Sequence, residues 1–182
     1  MKTKYIAFLR AINVGNRNIK MADLRTIFEA LEVETVETFI ASGNVIFDAP
    51  EQDTATLEAT IEAHLQENLG YTVDTFIRST AALADIAQKQ PFGEITLESG
   101  GNTLYVAFLA NPVSTEGQAA LSAYQNEVDS FQIDGLEAYW LCRKKVGDTR
   151  FTGGTLEKAI GAPATLRNWN TVQRLTKKYP SH

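Results

Sequence analysis

The sequence predicts an α+β protein of two tandem halves, each with the element order βαββαβ, followed by a C-terminal helix. Three observations support this. Strand-like and helix-like hydrophobic periods follow one another in that order between residues 4 and 90. The segment Tyr5-Ile6-Ala7-Phe8-Leu9 returns as Tyr105-Val106-Ala107-Phe108-Leu109, with four of five residues identical and the fifth conservative. Between the two copies, Pro91-Phe92-Gly93 and Glu98-Ser99-Gly100-Gly101 punctuate the chain. Together they place a boundary between a first half, 1–92, and a second half, 93–182, and suggest an internal duplication of one ferredoxin-like unit.

Each element follows from its own residues. Residues 4–12 are rich in apolar residues, the mark of a central strand, and 13–18 read as a loop rich in Asn and Gly. Met21, Leu24, Ile27, Phe28 and Leu31 recur at helical spacing on one face. Residues 36–41 and 44–48 are short strands joined at Ser42-Gly43, a hairpin signal. Asp53 or Thr54 caps a second helix striped by Leu57, Ile61, Leu65 and Leu69, and Gly70 stops it. A strand over 71–78 and a short helix to about residue 90, capped by Ser79 or Thr80, complete the half.

The second half repeats the order: a strand at 103–109, a helix at 115–126, strands at 129–133 and 137–142, and a short helix at 155–160. No last strand is evident. Gly161-Ala162-Pro163-Ala164 reads as a turn, Thr165 as an N-cap, and 166–178 as the final helix, with Leu166, Trp169 and Val172 toward the core.

Composition narrows the function classes. The 182 residues suit one large domain or two small ones, and 44% apolar with 21% charged residues exclude disorder by composition. The lone Cys142 excludes an internal disulfide, and one cysteine with two histidines argues against a zinc site of the usual type. No apolar run approaches the ~20 residues that span a bilayer. Met1-Lys2-Thr3-Lys4 could open a signal peptide, but Arg10 interrupts the apolar run and no cleavage site follows, so the expected compartment is the cytoplasm.

The net charge of −5 hides a pattern. Residues 1–25 carry six basic groups and one acid, residues 26–142 two basic groups and 19 acids, and residues 143–182 nine basic groups and two acids. Basic ends flanking an acidic middle either attract an anion or pair with that middle.

Three clusters are candidate sites. Arg10 with Asn13, Gly15 and Arg17 lies where a strand runs into a loop and then a helix, a place where backbone donors and a guanidinium suit phosphate or carboxylate. It lacks the second glycine and the Lys-Ser/Thr pair of a phosphate-binding Walker loop. Ser42-Gly43-Asn44 reads as a site or as a plain hairpin turn. Arg167-Asn168-Trp169-Asn170 gathers a guanidinium, two amides and an indole at a helix start, which favours an anion; the other reading is that Trp169 packs in the core and the amides cap the turn. Gly153-Gly154-Thr155 with Arg150 is a smaller anion loop on the same logic. His64 sits beside an apolar stripe and Cys142 in a strand, so both read as packed residues, which leaves no Ser-His-Asp or Cys-His arrangement.

Three segments together resemble the bacterial family called domain of unknown function 1697: Phe8-Leu9-Arg10-Ala11-Ile12-Asn13-Val14-Gly15, Ser42-Gly43-Asn44-Val45-Ile46-Phe47, and Thr165-Leu166-Arg167-Asn168-Trp169-Asn170-Thr171-Val172. The resemblance covers nearly the whole chain and implies a tandem ferredoxin-like α+β protein. It departs at Ala11, where the family often has glycine, and in the loop after Gly15, which here lacks a proline. It implies that Arg10, Asn13, Gly15, Ser42, Gly43, Asn44, Arg167, Asn168, Trp169 and Asn170 belong to the family pattern and gives none of them a role.

The expected function is binding of an anionic, phosphate-bearing nucleotide or short nucleic acid at Arg10, Asn13, Gly15, Arg17, Ser42, Asn44, Arg167, Asn168 and Asn170. No cofactor and no metal are expected. Strand 44–48 lacks the aromatic and basic RNA-recognition pattern, and the net charge argues against tight non-specific DNA binding. The alternatives are a hydrolase or transferase for a small anion, and a structural or partner-binding protein in which these polar residues only hold the fold.

Overall fold

A computed structural model describes residues 2–41, 43–93, 101–144 and 149–181. In order they form β1 (Lys2–Leu9), α1 (Met21–Glu29), β2 (Glu34–Thr38), β3 (Asn44–Pro50), α2 (Thr54–Leu69), β4 (Thr75–Ser79), α3 (Thr80–Gln88), β5 (Thr103–Phe108), α4 (Thr115–Ser122), β6 (Asp129–Asp134), β7 (Glu137–Cys142), α5 (Gly153–Ile160), β8 (Thr165–Asn168) and α6 (Trp169–Lys178). The protein is α+β, with two four-stranded antiparallel sheets and, among the described residues, six helices. The chain divides into two compact units, one of residues 1–87 with 175–182 and one of residues 88–174.

The first sheet runs β2-β3-β1-β4 and the second β6-β7-β5-β8, so within each unit the third, first and fourth strands occupy the same relative places. The registers agree as well. Tyr5 faces Phe47 across β1–β3, and Tyr105 faces Trp140 across β5–β7. Ile6 faces Arg78 across β1–β4, and Val106 faces Arg167 across β5–β8.

In the first unit Tyr5, Ala7, Leu9, Val45, Phe47 and Ile77 share a core with Leu24 and Phe28 of α1 and Leu57, Ile61 and Leu65 of α2. Ile6, Phe8 and Ile46, on the opposite pleat, are equally buried. A strand buried on both faces needs apolar residues at every position, which is why 5–9 reads as a run rather than an alternation.

The helix ends follow local chemistry. The Asp53 carboxylate accepts from the Thr56 N–H at 2.9 Å and opens α2. Gly70 closes it in the left-handed region, φ 76°. The Ser79 hydroxyl accepts from the Ala82 N–H at 3.1 Å and starts α3.

Two expectations are corrected. The second unit does have a last strand, β8, and the final helix begins at Trp169 rather than at 166. Thr165 is not its N-cap: it pairs with Phe108 in the sheet. Asn168 does the capping, its Oδ1 accepting from the Asn170 N–H at 2.9 Å. Leu166, Trp169 and Val172 mimic one helical stripe, but pairing along β5 satisfies the backbone of 165–168, and a distant strand is invisible to a local period. No helix among the described residues is long and apolar enough to cross a membrane.

Candidate functional site

The loop 10–20 leaves the end of β1 and leads into α1. It carries Arg10, Arg17 and Lys20 and no acid. Asn13 organises it: its Oδ1 accepts from the Ile19 N–H at 2.8 Å, and its Nδ2 donates to the Ala41 carbonyl at 3.5 Å. Gly15 has φ 64°, a conformation that favours glycine, and the Arg17 N–H closes a turn on the Val14 carbonyl at 3.2 Å. The N-cap of α1 is Lys20, which makes no side-chain cap bond.

Both guanidinium groups of the loop reach the segment that enters β4. Arg10 donates from Nη1 to Asp74 Oδ2 at 3.2 Å, and its backbone N–H to the Asp74 carbonyl at 2.9 Å. Arg17 lies 4.4 Å over the Tyr71 ring and donates to the Thr72 carbonyl at 3.5 Å. Arg10 is half-buried in its ion pair, with 36% of its side chain exposed. Two cations therefore stand over one four-residue stretch that supplies a single acid, Asp74.

Asn44 is fully buried and closes the β2–β3 connection. Its Nδ2 donates to the Phe39 carbonyl at 3.0 Å, and its carbonyl accepts from the Phe39 N–H at 2.9 Å. Gly43 is needed there: it has φ 73°, and a Cβ would lie 2.7 Å from Ile12 Cγ2 and 3.2 Å from Leu9 Cβ. Ser42 lies outside the described residues.

The third cluster is in the second unit, at the junction of β8 and α6. Arg167 is buried, and its Nη1 donates to Thr165 Oγ1 at 2.7 Å and to the Leu166 carbonyl at 3.0 Å. Burial lowers its pKa to about 10, so it stays cationic at neutral pH. Asn168 is the cap described above, and Asn170 is exposed on the first turn of α6. The structure thus gathers Arg10, Asn13, Gly15 and Arg17 on one loop, gives Asn44 a turn-closing bond, and seats Arg167 and Asn168 in local bonds of their own.

The sequence reading missed Arg78. It is buried in β4, and its Nη1 donates to the Ile77 carbonyl at 2.8 Å, as Arg167 does to Leu166. The signal was available: Arg78 interrupts an apolar strand, just as Arg10 ends one.

Two antiparallel sheets with their helices, and a cationic loop at the end of the first strand, define an α+β protein of a particular pattern. The chain belongs to the family described as "Protein of unknown function (DUF1697)", whose model matches residues 1–139. Among solved structures it is similar to conserved bacterial protein SP0830 from Streptococcus pneumoniae, with a TM-score of 0.71 over 98% of each chain and 19% sequence identity. At that identity the likeness concerns the fold. No curated protein matches the chain.

Proposed function

We propose that the protein binds an anionic, phosphate-bearing ligand at the loop 10–20 of its first unit, a nucleotide or the end of a short nucleic acid. The observation that carries this reading is the convergence of Arg10 and Arg17 on the segment 71–74, with Asn13 holding the loop between them. Two partly exposed guanidinium groups beside one carboxylate give this edge a net positive charge, and a phosphate accepts charge-assisted bonds from guanidinium donors. Gly15 leaves the backbone open for close approach, since nothing lies within 4 Å of its would-be Cβ. Arg167 and Asn168 fit a structural role in this reading, because their bonds are spent on strand and helix ends.

We also infer that the two units are copies of one ferredoxin-like fold. The support is the shared strand order, the equivalent registers and the pair of buried arginines, Arg78 and Arg167, each bonded to the carbonyl of the preceding residue. A further parallel lies in the glutamates that reach the entry to the last strand. Glu62 of α2 accepts from the Thr75 N–H and Glu157 of α5 from the Ala164 N–H, each at 2.8 Å.

The binding reading is tested by an NMR titration with inorganic phosphate and a nucleoside monophosphate at low salt. The amides of Gly15, Asn16 and Arg17 shift and saturate, and Arg17→Ala weakens the response. Unmoved loop amides, or an unchanged response in Arg17→Ala, overturn it.

A further inference from the structure

A cavity of about 270 Å³ lies within the second unit, between the end of α4 and the chain entering α5. One wall is aromatic. The Tyr124 ring meets Phe151 edge-on at 5.5 Å and 67°, yet Tyr124 is 42% exposed, one of few large apolar side chains left so open among the described residues. Phe151 is anchored in the core against Phe131 and Trp140. The floor is Asp129, buried to 4% exposure. Its Oδ1 accepts from Trp140 Nε1 at 2.8 Å and its Oδ2 from the Thr149 hydroxyl at 2.7 Å. A carboxylate offers about four acceptor positions, so these two bonds leave capacity for a donor in the cavity. Arg150 stands at the rim, exposed, with no hydrogen bond, ion pair or ring contact among the described residues.

These features differ from a plain surface dent. Asn126 is consumed locally, its Oδ1 taking the Val128 and Asp129 N–H groups at 2.7 and 3.0 Å, so it shapes the wall and recognises nothing. Among the described residues, an aromatic face, a guanidinium and spare acceptor capacity on a fixed carboxylate remain unspent. An aromatic face accepts a planar ring, a guanidinium a carboxylate or phosphate, and Asp129 an N–H or O–H. The volume is at the small end for a ligand pocket, which suits a single ring.

We propose that this cavity is a second binding site, for a small planar aromatic anion with a hydrogen-bond donor on its ring. The ring stacks against Tyr124, the anion meets Arg150, and the donor points to Asp129. The site lies in the other unit from the loop 10–20 and does not depend on that reading.

Trp140 reports on it directly, because its indole N–H bonds the carboxylate the ligand would meet. The experiment follows the Trp140 indole signal in 15N-labelled protein, with Trp169→Phe assigning the two indoles. The probes are 4-hydroxybenzoate and phenyl phosphate, with phenol, which lacks the anion, and inorganic phosphate, which lacks the ring, as controls. The expected result is a saturable shift with 4-hydroxybenzoate, weaker ones with phenyl phosphate, which lacks the ring donor, and with phenol, and none with inorganic phosphate over the same range. Arg150→Ala weakens the response about tenfold, the loss of one good charge-assisted contact. Tyr124→Ala weakens it too, and Arg17→Ala leaves it unchanged. An indole signal unmoved by 4-hydroxybenzoate, or a shift that survives Arg150→Ala at full strength, overturns the proposal.

Discussion

Ile40 holds a left-handed backbone, φ 52°, although its side chain is branched at Cβ and 40% exposed. Such a residue costs about 1–2 kcal/mol relative to one that tolerates the conformation. Ile40→Asn is therefore expected to raise stability by about 1 kcal/mol, read as a higher urea midpoint. Gly43→Ala has the opposite sign: it forces a side chain into φ 73° and against Ile12, and costs at least about 1–2 kcal/mol in the same assay. The loop at 13–18 and the turn at Gly43 were legible because Asn and Gly announce positive φ, whereas 10–12, read as the end of the first strand, lie beyond it. The strain at Ile40 was not, since no residue type signals it. Nor was the use of Asn13, whose two bonds reach Ile19 and Ala41.

Secondary-structure elements here are tied by carboxylates that titrate in opposite directions. Glu58 and Glu62 of α2 accept from the Ile77 and Thr75 N–H groups of the edge strand β4, at 2.7 and 2.8 Å. Burial raises both pKa values above the ordinary 4.5, against the pull of those hydrogen bonds and, for Glu58, of Arg78; Glu62 and Asp53 push Glu58 further up, and Asp74 pushes Glu62 up. Their contribution to stability is fully present below about pH 4.5 and is lost as pH rises through the raised values. Glu58→Gln keeps an acceptor for Ile77 and removes the buried charge. Its stability at neutral pH does not fall, and its dependence on pH above about 4.5 flattens. Glu58→Ala orphans the N–H and costs about 1–3 kcal/mol.

Glu37 on β2 runs the other way. The Tyr179 hydroxyl donates to it at 2.7 Å, and this bond first, then Lys178 through its hydrogen bond and charge, holds its carboxyl below the ordinary value despite some desolvation. That contribution is present above the unfolded pKa and is lost as pH falls through the lowered one. Tyr179→Phe costs about 1 kcal/mol at neutral pH, measured by urea unfolding, and the loss shrinks in acid. At this scale α2, with Asp53 and Gly70 at its ends, and β7, a short apolar run, were legible because caps and apolar runs are local signals. The strand β8 was not, because its pairing with β5 is sixty residues away in sequence.

The whole chain carries its basic residues toward its two ends and its acids in the middle. Of the three polar clusters, two lie in those basic ends, and the structure separates the three by how their hydrogen bonds are spent. Asn44 closes a turn and Arg167 is buried against its own strand, whereas Arg10 and Arg17 stand partly open over one short segment. Which arginine packs and which faces outward depends on strand pairing and burial, so one sequence showed the residue types without their division of labour. The recurring element order of the two units, up to α5, was legible through the repeated pentapeptide and the periods around it.

The most direct test of the anion site is a thermal-shift panel at low salt with phosphate and nucleotides, run on the wild type, Arg17→Ala and Arg167→Ala. A ligand at about 100 times its dissociation constant adds about 2.7 kcal/mol. That is a rise of several degrees, roughly, for a chain of this size. The account predicts that Arg167→Ala melts early, by about 1–3 kcal/mol, yet keeps the shift, while Arg17→Ala melts like the wild type and loses it. An Arg17→Ala protein with the full shift, or a stable Arg167→Ala protein without one, would contradict it.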